Sequence, residues 1–193
     1  MKIEDGTGSG KLAKVDSENR LRTSSVTETE ALHAAEEGRG YNINTGFISV
    51  IGNASLIYLK NNGDSDVVLA SIIVGLFNGI THSDDPYFTI TRNPTGGDII
   101  SDATAVEANV NRNFGSSATL TVNVYKGKVG GTITGGTNFG KLQLNPATRN
   151  FYGVEIVIPK GSSIALALTA NVSSGSANGY AAFICYEKED TTD

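Results

Sequence analysis

The sequence predicts an all-β chain: an antiparallel β-sandwich, jelly-roll-like, with an extended N-terminal arm and one short helix ahead of it. Three observations carry this. Apolar residues alternate with polar or small ones, most plainly at Ile164, Leu166, Leu168, Ala170 and Val172, the period of a half-buried strand. Joints rich in Gly and Asn, such as NPTGG (93–97), GG (130–131) and GGTN (135–138), break the chain into short segments, and those residue types favour turns. No amphipathic segment of helical length separates the later strands, which disfavours a parallel α/β sheet with its crossover helices. Two packed antiparallel sheets remain, with the jelly roll as the leading topology.

Residues 1–26 form the arm. Their large apolar side chains (Ile3, Leu12, Val15, Leu21, Val26) stand singly among polar ones, too sparse for a core of their own. A small local hairpin is expected between LAKV and RLRTSSV around the turn-rich DSEN (16–19),. Residues 27–40 read as a short helix and linker: Thr27 and Glu30 have capping-box spacing, Ala31, Leu32, Ala34 and Ala35 favour helix, and Gly38 can end it,. Residues 41–187 form the sandwich, with strands expected at 45–51, 55–60, 67–74, 86–92, 119–124, 154–158, 164–172 and 179–187. Between 55–60 and 67–74 the connection NNGDSD carries Asn-Gly, a hairpin signal,. PKGSS (159–163) requires a sharp turn between two strands,. Residues 188–193 form a polar C-terminal tail.

Composition narrows the function classes. A chain of 193 residues buries about 70% of its unfolded surface and needs no covalent staple. The single Cys185 lies in the apolar run AAFICY, where a buried, inert thiol is expected. The start, MKIEDG, lacks the apolar core of a secretion signal, so folding in a reducing cytoplasm is the expectation. The longest apolar stretch, VVLASIIVGLF (67–77), is too short to span a bilayer. A net charge of −5 argues against nucleic acid as a partner. The arm itself mixes five basic with four acidic residues through Arg22, which suits a protein surface better than a phosphate backbone.

The opening GTGSGK invites a phosphate-loop reading. That loop needs a first Gly, a Lys, a hydroxyl residue and a following helix; here Asp5 occupies the first position and Leu12 replaces the hydroxyl. The glycines at 6, 8 and 10 also miss the dinucleotide spacing,. A compliant backbone explains them better. His33 and His82 have no partners that complete a nucleophilic constellation or a metal set, and no Ser sits in a G-x-S-x-G turn,. The acidic turns DSD (64–66) and SDD (83–85) do not continue into a calcium loop and read as solvated turns,. No catalytic, cofactor or metal residue is expected.

The run DGTGSGKLAKVDSENRLRTSSVTETEALHAAEEGRGYNINTG, followed by LIYLKNNGDSDVVLASIIVG, resembles small virion structural proteins of tailed bacteriophages. In these, a D-G-x-G-x-G-x-L-A-K-V-D arm precedes a body similar to the jelly-roll decoration, or cement, proteins of assembled heads. The resemblance runs through about Val74 and is one of fold beyond it. It implies a non-enzymatic capsid decoration protein, made in the host cytoplasm and carried on the capsid exterior. It also implies the major capsid protein as partner, a homotrimeric state, and neither nucleic acid nor membrane as ligand. On that reading the arm residues Lys11, Leu12, Lys14, Val15, Arg20, Leu21 and Arg22 form the capsid interface, their apolar members buried only once a partner covers them. The contrasting expectation is a tail- or fibre-associated module binding a host glycan through loop aromatics such as Tyr87, Phe114 and Phe139, weakened by the absence of Trp.

Overall fold

In a computed structural model, the protein is described over residues 3–4, 12–13, 29–50, 52–77, 86–101, 104–105, 108–128, 130–144, 149–170 and 177–189. In chain order the elements begin with β1 (Ile3–Glu4), β2 (Leu12–Ala13), α1 (Glu30–Glu36), β3 (Gly40–Val50), β4 (Ala54–Asn61), β5 (Val67–Phe77) and β6 (Tyr87–Arg92). An insert follows, made of β7 (Gly96–Gly97), α2 (Asp98–Ser101), β8 (Thr104–Ala105), β9 (Ala108–Asn111), β10 (Val122–Lys126) and β11 (Ile133–Thr134). The body closes with β12 (Thr137–Gln143), β13 (Arg149–Ile158), β14 (Ser163–Thr169) and β15 (Ala177–Glu187).

Two antiparallel sheets pack face to face. One has five strands in the order β13-β5-β15-β3-β9, the other six in the order β12-β6-β14-β4-β10-β8. Successive strands of the body alternate between them, except β6 and β12, which are neighbours in the six-stranded sheet. The first pairs with the last (β3 with β15), the second with the penultimate (β4 with β14), and β5 with β13 and β6 with β12 nest inside. That nested order is the jelly-roll arrangement. The insert between β6 and β12 supplies β9 beside β3, β10 beside β4 and β8 beside β10, so it lengthens both sheets on the same side. The core between the sheets runs from Tyr41 to Cys185 in sequence and includes Leu56, Leu59, Ile72, Leu76, Phe88, Leu166 and Phe183, each fully buried.

The hairpin expected between residues 55–60 and 67–74 does not form, because β4 and β5 lie in opposite sheets. Gly63 does not take the positive φ of a two-residue hairpin turn, and both strands are buried along nearly their whole length, so each finds its neighbours far away in sequence. Asn61 makes the corner. Its buried amide donates to the carbonyls of Ser65 and Ile158, at 2.9 Å each, and its Oδ1 accepts from Gly63 N–H at 2.9 Å. The sharp turn expected at PKGSS is present, with Gly161 at φ 77°, and it too passes from one sheet to the other.

Smaller differences have local causes. Thr29, rather than Thr27, caps α1 by accepting from Leu32 N–H, and Gly38 at φ 79° ends the helix as expected. The first long strand begins at Gly40, five residues before the predicted start. A second helix, α2, occurs in the insert. In the arm, Leu12–Ala13 pairs with Ile3–Glu4; the RLRTSSV half of the expected hairpin lies outside the described residues. Residue 12 therefore opens a strand where a phosphate loop would need a helix,.

The two outer faces are treated differently. On the six-stranded sheet, α2 and the β7–β11 ribbon cover Tyr58, Ala165 and Tyr125 with Ile99, Ile100 and Ile133, and Tyr58 stacks on Tyr125 with ring centroids 6.0 Å apart. On the five-stranded sheet, α1 covers one end only, where Ala34 meets Val68 and Tyr186.

Candidate functional site

Where α1 stops, the five-stranded sheet presents apolar side chains to solvent. A bulge produces the largest of them. Tyr41, Ile43 and Thr45 face the core, and unbroken alternation would point Phe47 inward,. Gly46, at φ 61°, adds a residue opposite Ala181, so that Ile48 and Val50 are the next to turn inward,. Phe47 is thereby turned outward and is 68% exposed. The ladder is mended by the buried Thr45 hydroxyl, which accepts from Ala181 N–H and lies 3.1 Å from that residue's carbonyl.

Around Phe47 an aromatic group assembles in register. Arg149, Gly75, Tyr180 and Phe47 occupy one row across four strands. Gly75 has no side chain, and the Arg149 guanidinium lies 5.2 Å from the centre of the Tyr180 ring, a cation–π contact. Phe77 meets Phe47 edge-on at 5.9 Å, and Tyr180 meets it tilted at 6.1 Å. In the neighbouring row Phe151 stands beside Ile73 on the edge strand β13 and is also well exposed.

At the far edge of the same sheet the loop after β9 holds Phe114, which is 95% exposed. Its neighbours are pinned. Asn111 Nδ2 donates to the carbonyls of Gly38 (2.7 Å) and Ala118 (3.1 Å), Asn113 Nδ2 donates to Glu36 C=O (2.7 Å), and Asn113 Oδ1 accepts from Gly115 N–H (3.0 Å). Two of these bonds satisfy carbonyls left over at the end of α1. The loop therefore carries a bare phenyl ring on a hydrogen-bonded base, with open hollows on either side: one shared with Leu32 and Ala35, the other with Val110 and Ile184.

Leu32, Phe47, Val110, Phe114, Phe139, Phe151 and Val157 are the exposed large apolar residues among those described. All but Phe139 belong to the outer side of the five-stranded sheet or to the helix and loop beside it. Large exposed apolar patches are typical of interaction sites, and aromatic side chains with an arginine are what protein interfaces concentrate.

Other expected residues fall as follows. Leu12 is in β2, opposite Glu4; Lys11, Lys14, Val15, Arg20, Leu21 and Arg22 lie outside the described residues. The loop aromatics do not converge: Tyr87 sits under Lys141, whose Nζ is 4.5 Å from its ring centre, Phe139 lines the gap between the sheets, and Phe114 stands beside α1. His33 is exposed and lies 3.3 Å from Glu37, one turn on. Asp64 is exposed and bound by Lys160, which holds its carboxyl below the usual range. His82 and the SDD turn are outside the described residues. Cys185 is buried, and burial, with a smaller push from Glu187, drives its thiol up to about 12. Among the described residues no three potential metal ligands cluster, and no helix is long and apolar enough to cross a membrane.

The geometry thus defines a class, an all-β jelly-roll sandwich with one aromatic sheet face that, among the described residues, only α1 covers in part. Comparisons with protein-family models, with curated proteins and with solved structures find no match.

Proposed function

We propose that the chain is a non-enzymatic virion structural protein: a capsid decoration protein that binds the assembled head of a tailed bacteriophage, as a homotrimer, through its N-terminal arm and the outer face of the five-stranded sheet. The observation that carries this reading is the gathering of Phe47, Phe114, Phe151, Val110, Leu32 and Val157 on one side of the molecule. A side with that many bare apolar residues stabilises a complex by covering them, at roughly 1.5–3 kcal/mol for each large side chain removed from water. The choice of a capsid as the covering partner comes from the resemblance of the arm and of residues 56–75 to virion proteins, and the jelly-roll strand order accords with it. The test is decoration of purified empty heads by the full chain, by a chain lacking residues 1–26, and by the Phe47→Ser/Phe151→Ser double variant. Both changes weaken attachment by at least tenfold while leaving the β-rich circular dichroism spectrum intact. Undiminished decoration by both variants, or no decoration by the full chain, would sink the proposal.

A further inference from the structure

The gap between the sheets holds a second candidate site, which borders the exposed apolar face at Val157 and whose argument does not rest on head binding. At one side of the sandwich the edge strands β12 and β13, which belong to opposite sheets, leave a cleft of about 240 Å³. Its walls are Phe139, Ile156, Ile158, Pro159 and Ile164, and Arg92 stands among them.

Arg92 is out of character for its position. On β6 the residues facing the core are Phe88 and Ile90, both buried, and the register continues the series: Phe88 opposite Leu168, Ile90 opposite Leu166, Arg92 opposite Ile164. A cation therefore occupies the next core-facing place, where the strand reaches the mouth of the sandwich. Its stem can lie along apolar wall while its head stays hydrated. No ion pair or side-chain hydrogen bond joins that guanidinium to any described residue. Asp64, in the turn between β4 and β5, is bound by Lys160 instead. The backbone of the floor is closed as well: Ser163 N–H donates to Asn93 Oδ1 and Ser162 N–H to Pro159 C=O.

Phe139 fits the same picture. It is the extra residue of a bulge, between the pairs Asn138–Thr91 and Gly140–Ile90, and among the described residues it is the one exposed large apolar residue that does not belong to the proposed docking face. The bulge interrupts the free edge of β12, which makes pairing with an added strand unfavourable. What the site offers is a short, open apolar cleft with an exposed guanidinium at its mouth that has no ion-pair partner among the described residues.

From this we infer that the cleft binds a small monocarboxylate with a short hydrocarbon tail, the tail between Phe139 and the isoleucines and the carboxylate on the Arg92 guanidinium. The volume admits on the order of eight non-hydrogen atoms, taking the ~30 Å³ of one liquid water per atom. Arg pairs with a carboxylate through two parallel N–H donors, which gives geometric as well as charge selectivity.

The experiment titrates hexanoate, hexan-1-ol and hexylamine into the full-length protein and follows the Ile methyl resonances by NMR. Hexanoate produces saturable shifts at Ile156, Ile158 and Ile164, hexan-1-ol binds at least about tenfold more weakly, and hexylamine produces none. Arg92→Gln reduces hexanoate to the level of the alcohol, and Arg92→Lys recovers part of the difference. Phe139→Ala weakens acid and alcohol together. Melting temperatures of the three variants show whether each is folded. Equal binding of the three probes, an unaltered hexanoate affinity in both folded Arg92 variants, or the absence of saturable shifts at these methyls would overturn the inference.

Discussion

Asn61 carries more of the fold than its size suggests. It is fully buried at the end of β4 and serves three backbone groups, two carbonyls and one N–H, where the chain leaves one sheet for the other. Asn61→Ala removes all three bonds, and a buried polar group without a partner costs about 1–3 kcal/mol. We expect a loss of roughly 2–5 kcal/mol, since water reaches the partly buried members of the set; a urea denaturation midpoint within error of the wild type would refute the assignment. Glu187 sets a pH dependence. Burial raises the pKa of its carboxyl, and the charge of Arg39 opposes that only in part. A carboxyl raised in the folded state contributes stability below its unfolded value that is lost as pH rises through the folded one. Glu187→Gln keeps the neutral form at every pH. The variant should match the wild type at pH values below the ordinary glutamate range and melt at a higher temperature near neutrality; an advantage that grows on acidification would have the wrong sign.

At the scale of elements, the bulge of β3 decides that Phe47 points outward. Thr45 and Gly46 together add a residue without leaving the ladder open, because the Thr45 hydroxyl stands in for a backbone partner at Ala181. Thr45→Val has nearly the same shape and no hydroxyl, so it strands buried polar groups at a cost of about 1–3 kcal/mol each. Thr45→Ser keeps the hydroxyl and should lose less, a ranking readable from urea denaturation; equal losses would show that packing, not the hydrogen bond, is what Thr45 supplies. The same bulge explains what was legible in the sequence. Alternation revealed strands at 86–92, 154–158, 164–172 and 179–187 within a few residues, since it follows directly from one buried face. It could not reveal partners: LIYLK and VVLASIIV are apolar on both faces, and Asn-Gly between them has the composition of a hairpin although the chain there changes sheets. The docking face was hidden for a related reason. Phe47 in GFISV looks like a core residue until the parity change at Gly46 is known, and Arg92 looks like the polar end of a strand until its register with Ile164 is seen. Phe114 and Phe139 read as loop aromatics, but Phe139 lies in β12, and nothing local placed the two on different sides of the molecule.

For the whole molecule, the division between arm and body becomes a question of which contacts cross it. Every member of the main core lies between residues 41 and 185, and the described strands of the arm, β1 and β2, pair only with each other. Deleting residues 1–26 therefore removes no described residue that the two large sheets use for pairing. Deleting residues 1–38 removes α1 as well, which uncovers Val68 and Tyr186 and takes away Ala34. It also deprives the Phe114 loop of the Glu36 and Gly38 carbonyls that Asn113 and Asn111 hold. The shorter deletion should leave the melting temperature close to that of the full chain. The longer one should cost roughly 2–5 kcal/mol, at about 1.5–3 kcal/mol for each large side chain returned to water, and should raise the hydrogen-exchange rate of residues 112–118. Under the proposed function, head attachment separates the two deletions in a different way: it should already fall with the shorter deletion while stability does not. A shorter deletion that lowered stability as much as the longer one would mean that the arm belongs to the body, and loss of attachment would then report unfolding rather than a missing contact.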